Sequence, residues 1–135
     1  MLVHQLMSSH VVTVGLETTL PELAQILGTQ HFRHLLVMDN QRLVGVITDR
    51  DIRRALPSDA TSLAKWEIPY LMHKITAKEL MHAPVHSVLL DAPISYAAQQ
   101  MLKYNISCLP VLDGDTLRGI ITSSDILKAV AEKKN

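Results

Sequence analysis

The sequence predicts a mixed α+β protein built from two copies of one strand–helix–strand–strand–helix unit. Three observations carry that expectation. Shifting the 135-residue chain on itself by 74 residues sets Leu6-Met7 on Leu80-Met81 and runs without a gap until Leu56 meets Val130. Along this register Val11/Val85, Ala24/Ala98, Leu35/Leu109, Val37/Val111, Gly45/Gly119, Thr48/Thr122 and Asp51/Asp125 are identical, which marks one structural unit used twice. Each copy also alternates short aliphatic or β-branched runs with apolar residues at helical spacing. Two copies are too few for a solenoid, so a pseudo-symmetric pair sharing one core is expected.

The elements follow in order. Val11 to Val14 and Val85 to Leu90 read as strands. Thr19-Leu20-Pro21-Glu22 has capping-box spacing, with Thr19 as N-cap and Glu22 reaching back to it. Leu20, Leu23, Ala24 and Leu27 then form a buried stripe, repeated by Ile94, Ala97, Ala98, Met101 and Leu102 after Pro93 in the first turn. Strands over Leu35 to Met38 and Leu43 to Thr48 flank the turn Asp39-Asn40-Gln41-Arg42. Their counterparts, Leu109 to Leu112 and Leu117 to Thr122, flank Asp113-Gly114-Asp115-Thr116. Each copy closes with a helix, Asp49 to Leu56 stopped by Pro57 and Ser123 to about Lys133.

The stretch from Pro57 to Thr76 belongs to neither copy. Ser58 to Ser62 reads as a polar loop, and Leu63, Trp66, Tyr70 and Leu71 have amphipathic spacing, with Pro69 expected to kink or end that helix. Trp66 and Tyr70 are expected to pack over the repeat interface rather than bind a ligand. Thr76-Ala77-Lys78-Glu79 is a second capping box. The organisation is therefore one module over 1–135, with copies over 3–56 and 77–135 and a linker over 57–76.

Composition excludes several classes. Apolar residues make up 47% and charged residues 19%, enough to bury a core and too apolar for disorder. Thirteen Lys and Arg balance thirteen Asp and Glu, so nothing supplies the excess positive charge that grips nucleic acid or anionic membrane. The single cysteine, Cys108, allows no intramolecular disulfide. No run is long enough for a membrane span, and the first basic residue is Arg33, unlike a signal peptide. A cytoplasmic protein is expected. Catalysis is not: no Gly-x-Ser-x-Gly, Gly-Lys-Ser/Thr or Gly-x-Gly-x-x-Gly stretch occurs. No metal site is expected either, since His31 and His34 straddle a helix-to-strand change, and His4, His10, His73, His82 and His86 read as surface or packing residues.

The chemistry-bearing stretches are Gly45-Val46-Ile47-Thr48-Asp49-Arg50-Asp51 and Gly119-Ile120-Ile121-Thr122-Ser123-Ser124-Asp125. In each, a strand ends at threonine and a helix starts with an aspartate in its first turn. Free N–H groups there favour an anion, and a carboxylate can accept two hydrogen bonds from a vicinal diol such as a ribose edge. The bland alternative makes Asp49 and Ser123 the N-caps and leaves Asp51 and Asp125 to complement the helix dipole. Both readings stand at this level.

The Leu-Met lead-ins, the strand starts Arg33-His34-Leu35 and Cys108-Leu109-Pro110-Val111, and the paired Gly-x-x-Thr-x-x-Asp stretches resemble a tandem pair of CBS (cystathionine β-synthase) domains, a Bateman module. The resemblance covers Val3 to Val130, and the stretch from Ser62 to Met81 resembles the linker of the AcuB acetoin-utilisation group. One departure is Leu35-Leu36-Val37 in place of the family's Leu-Pro-Val, expected to change strand-edge chemistry rather than fold. The resemblance implies two β-α-β-β-α repeats packed sheet to sheet with pseudo-two-fold symmetry, leaving two related clefts for adenosine ligands: AMP, ADP, ATP, S-adenosylmethionine or cyclic dinucleotides. It places ribose on Asp51 and Asp125, with Thr48 and Thr122 on ribose or phosphate. The backbone at Val12-Thr13 and His86-Ser87 would read the adenine edge. Phe32-Arg33-His34 and Ile106-Ser107-Cys108 would line the base or the phosphate channel. Arg50 adds charge where the second copy has Ser124. No obligatory cofactor is implied. The expected protein is a regulatory energy sensor, a homodimer pairing through the helices over 20–29 and 49–56, that acts in trans on a separate effector protein. A structural module with empty clefts and an acetoin-utilisation regulator are the rival readings.

Overall fold

The computed structural model describes residues 1–57 and 67–133. Helix α1 (Val3–Leu6) comes first, followed by β1 (Val12–Gly15), α2 (Leu20–Thr29), β2 (His34–Asp39), β3 (Arg42–Thr48) and α3 (Asp49–Ala55). Helices α4 (Glu67–Met72) and α5 (Ala77–Leu80) precede the second copy, which comprises β4 (Val88–Leu89), α6 (Ile94–Tyr104), β5 (Cys108–Asp113), β6 (Thr116–Thr122) and α7 (Ser123–Lys133). Each copy forms a three-stranded sheet, in the orders β1-β2-β3 and β4-β5-β6, with a parallel first pair and an antiparallel second pair. This is the mixed α+β architecture that the repeat and its periodicities predict.

Local chemistry sets the boundaries. Glu22 reaches back to the start of α2 as its spacing predicts: its Oε1 accepts the Thr19 N–H at 3.1 Å and the Thr19 hydroxyl at 2.8 Å. The two hairpins turn over two residues each, and the first of each pair, Asn40 or Gly114, takes a positive φ of 58° or 62°. At α5 the expected box is looser, with the Thr76 hydroxyl 3.5 Å from Glu79 Oε1. Pro69 lies inside α4 instead of ending it. As its third residue, it has no acceptor within Glu67–Met72 for the N–H it lacks. Tyr70 does not pack as expected: it is 61% exposed, with the Lys74 ammonium 4.4 Å from its ring centre. Ser58 to Ser62, Leu63 and Trp66 lie outside the described residues.

Strand β4 keeps only two of the six residues expected from Val85 to Leu90, and Pro110 supplies the reason. Its counterpart Leu36 sits opposite Thr13 of β1 and Val46 of β3. Val46 spends both backbone groups on His82, so the Leu36 N–H faces β1. Proline at that position removes the donor that would face the start of β4, and pairing begins only at Val88 opposite Val111.

The chain divides into two compact units that cut across the repeats: Val12–Val85, and Met1–Val11 together with His86–Asn135. In the first-copy unit Leu20, Leu23, Leu35, Val37, Ile47, Ile52 and Ala77 are buried, and Leu80 and Met81 pack against them. In the second-copy unit Val3, Ala97, Leu109, Val111 and Ile121 are buried, with Leu6 and Met7 against them. Each Leu-Met lead-in thus joins the core of the other copy. Each fully buried aliphatic side chain contributes on the order of 1.5–3 kcal/mol, so these segments belong to the core.

Candidate functional site

In the first-copy unit β2 begins at His34 and β3 ends at Thr48, directly opposite each other in the ladder. Val12 lies opposite Leu35, one rung away, so Val12, His34 and Thr48 share one end of the sheet. Helix α3 starts at the next residue. Thr48 is its N-cap, in extended conformation (φ −96°, ψ 160°), and its hydroxyl accepts the Asp51 N–H at 3.1 Å. Asp51 Oδ2 in turn accepts the Thr48 N–H at 2.8 Å, closing a capping box. The second-copy unit repeats this geometry: Asp125 Oδ2 accepts the Thr122 N–H at 2.8 Å and Thr122 Oγ1 accepts the Asp125 N–H at 3.2 Å. The caps are therefore the threonines, one residue before Asp49 and Ser123, and both aspartates have a definite structural role. Among the described residues the hydrogen bonds to these carboxylates fall on Oδ2.

A second link fixes each sheet end to its helix. Arg33 O accepts the Asp49 N–H at 3.1 Å, and Ser107 O accepts the Ser123 N–H at 2.9 Å. Phe32 and Arg33 also line a cleft of about 420 Å³ with Leu27, Gln30, His31, Asp49 and Arg53. Arg50 is exposed and not among the cleft residues, its N–H donating to its neighbour Asp49 at 2.9 Å. Thr13 is exposed beside Val12.

The second-copy positions differ chemically. The His86 ring stacks on Tyr104, centroids 3.7 Å apart and planes 14° from parallel. Ser87, Ser107 and Ser124 are exposed, while Ile106 packs on the core. Cys108 is buried, and burial, helped by Asp125, pushes its thiol up to about 12, so it is neither an anion nor a nucleophile near neutral pH. Burial also lowers the His34 pKa, with the Arg33 charge adding to it and Asp49 opposing.

His82 lies at the surface as expected, but sequence reasoning missed its contact with Asp51. Its ring is exposed on one side, yet Nε2 lies 2.9 Å from Asp51 Oδ2. The backbone brings it there: His82 and Val46 exchange N–H···O bonds of 2.8 and 3.1 Å along the outer edge of β3. Burial alone would raise the Asp51 pKa, but its bonds with Thr48 and His82 outweigh it and hold the carboxyl below its usual range. Ser8, the repeat counterpart of His82, makes the same backbone exchange with Ile120. The one available signal was the shared place of His82 and Ser8 just after each Leu-Met. Tyr104 left no comparable signal.

The CBS domain profile matches residues 3–58 and 77–132. The chain belongs to the CBS domain family. This CBS pair is 36% identical over 132 residues to a CBS domain-containing protein of Dictyostelium discoideum, covering 93% of this chain and 88% of the relative. It is 35% identical to L-aspartate semialdehyde sulfurtransferase of Methanocaldococcus jannaschii, over 98% of this chain but only 24% of that protein. Among solved structures it is similar to the CBS domain pair of protein MJ0100 in complex with 5′-methylthioadenosine and S-adenosyl-L-methionine, with a TM-score of 0.79, 32% identity and coverage of 99% and 98%. It is also similar to a proposed acetoin utilization protein (AcuB) from Vibrio cholerae, with a TM-score of 0.74, 30% identity and coverage of 98% and 91%. Among the described residues no helix is long and apolar enough to cross a membrane, and no cluster of three His, Cys, Asp or Glu could hold a metal ion.

Proposed function

We propose that this CBS pair is a non-catalytic regulatory module that binds adenosine-containing ligands and acts in trans on an effector protein. The carrying observation is the duplicated strand-to-helix junction, in which a threonine N–H holds an aspartate by one lone pair of Oδ2, so that the carboxylate can still offer acceptors to a hydroxyl pair. The 5′-methylthioadenosine and S-adenosyl-L-methionine bound by the similar MJ0100 pair support the ligand class, since both carry a ribose diol. The arginine-lined cleft beside α3 favours a phosphate-bearing ligand such as AMP or ATP in the first-copy unit.

A structural reading has one observation in its favour: the capping boxes account for both Thr–Asp pairs without any ligand. Calorimetry separates the two. Asp51→Asn and Asp125→Asn keep a cap acceptor but remove the charge, and each should lose about 2–3 kcal/mol, or roughly 30- to 150-fold, at its own site. Arg33→Ala should weaken AMP more than adenosine. Equal affinity in wild type and both aspartate variants would return these residues to capping alone. For assembly, exposed Leu102, Leu127 and Val130 support a homodimer paired through α6 and α7 rather than α2 and α3. A monomer in sedimentation at micromolar concentration would count against it.

A further inference from the structure

Asp51 and Asp125 share a capping geometry but not a partner. Asp51 Oδ2 accepts both the Thr48 N–H and His82 Nε2, at 2.8 and 2.9 Å, which fills the two lone pairs of that oxygen. Asp125 Oδ2 accepts the Thr122 N–H at 2.8 Å, and Ser8 stands where His82 stands in the first-copy unit. A ribose diol bound end-on needs one acceptor from each carboxylate oxygen, so the first unit offers it one oxygen fewer. From this we propose that His82 is a specificity-determining residue of the first-copy unit, competing with the ligand diol for Asp51 Oδ2, and that the second unit has no such competitor among the described residues. The inference rests on the adenosine-binding reading above.

The exchange is physically open. The His82 side chain is 69% exposed, so it can swing into solvent when a hydroxyl takes its place, whereas its backbone stays fixed to Val46. Among the described residues Asp51 is the one carboxylate within 4.0 Å of the ring. The other ionisable groups on the elements around it are Lys78 and Glu79 on α5, Asp49, Arg50, Arg53 and Arg54 on α3, Arg42 on β3, and His34 and Asp39 on β2. The His82 N–H to the Asp51 carboxylate is a charge-assisted bond that a ligand hydroxyl must displace.

The test uses 5′-methylthioadenosine, an uncharged nucleoside with an intact diol, and 2′-deoxyadenosine as the diol-free control. Calorimetry reads the first site in an Asp125→Asn background and the second in an Asp51→Asn background. Adding His82→Ala should tighten first-site binding roughly three- to tenfold. His82→Gln, a neutral donor, should give an intermediate affinity. The second site and the deoxynucleoside should not respond to residue 82, and comparing variants at one pH cancels the titration of His34. First-site affinity unchanged or weakened by His82→Ala would overturn the competition while second-site binding upholds the adenosine reading. Absence of binding at both sites, in wild type and in His82→Ala, removes that reading and this inference with it.

Discussion

Met81 lies against Gly45 so closely that a Cβ added to the glycine would stand under 3.0 Å from Met81 Sδ, Cβ and Cγ. Gly119 has the matching neighbours, the Ser8 carbonyl and Met7 Sδ. The Leu-Met lead-in and the glycine that opens each Gly-x-x-Thr-x-x-Asp stretch are therefore two sides of one contact. It is made crosswise, the lead-in of the second repeat touching the glycine of the first. Without a side chain at Gly45, the lead-in backbone can approach β3 and pair with Val46, which places His82 beside Asp51.

Gly45→Ala and Gly119→Ala are each expected to lower stability by about 1–3 kcal/mol through overpacking. Neither clash is relieved by a rotamer change alone, since one involves the Met81 Cβ and the other the Ser8 carbonyl. Gly28→Ala in α2 meets nothing within 4 Å and should raise stability by about 0.5–1 kcal/mol. Urea unfolding midpoints compare the three.

Acid should unfold the first-copy unit partly through Asp51. Its folded pKa lies below the ordinary 3.8, so its contribution is complete above that value and is lost as the pH falls through the folded pKa. Asp51→Ala, which removes the box as well, should cost about 0.5–2 kcal/mol at neutral pH and flatten the acid limb of the stability curve. An acid limb equally steep in wild type and variant would contradict this.

His34 works at higher pH. Its folded pKa is lowered from 6.5, so just below that value the unfolded chain holds a proton that the folded chain does not. Stability should therefore fall as the pH drops from about 7 into the window below 6.5, and His34→Gln should remove that slope. Imidazole proton shifts followed by NMR give the titration directly.

Cys108 should resist thiol reagents in the folded protein. With its pKa near 12 and its sulfur buried, labelling at pH 8 should be slow in buffer and complete within minutes in denaturant. Rapid labelling of the native chain would contradict the buried assignment.

The sequence by itself determined whatever depends on residues close along the chain. The Thr19–Glu22 box and the hairpin turns rest on residues at most three apart, so spacing exposes them. At the threonine-to-aspartate junctions the spacing located the site but put the caps one residue late, at Asp49 and Ser123. The repeat did the rest, because two matching copies fix the order of strands and helices. Only the tertiary structure decided what depends on distant partners. Which core receives each Leu-Met, which strand loses a donor at Pro110 and which side of Tyr70 meets solvent all depend on packing. His82 and Asp51 are 31 residues apart, and a histidine joined to its carboxylate only through a β3 edge bridge looks like any surface histidine in the sequence. A backbone bridge between segments far apart in sequence leaves no period to read, so their side chains meet only in the folded chain.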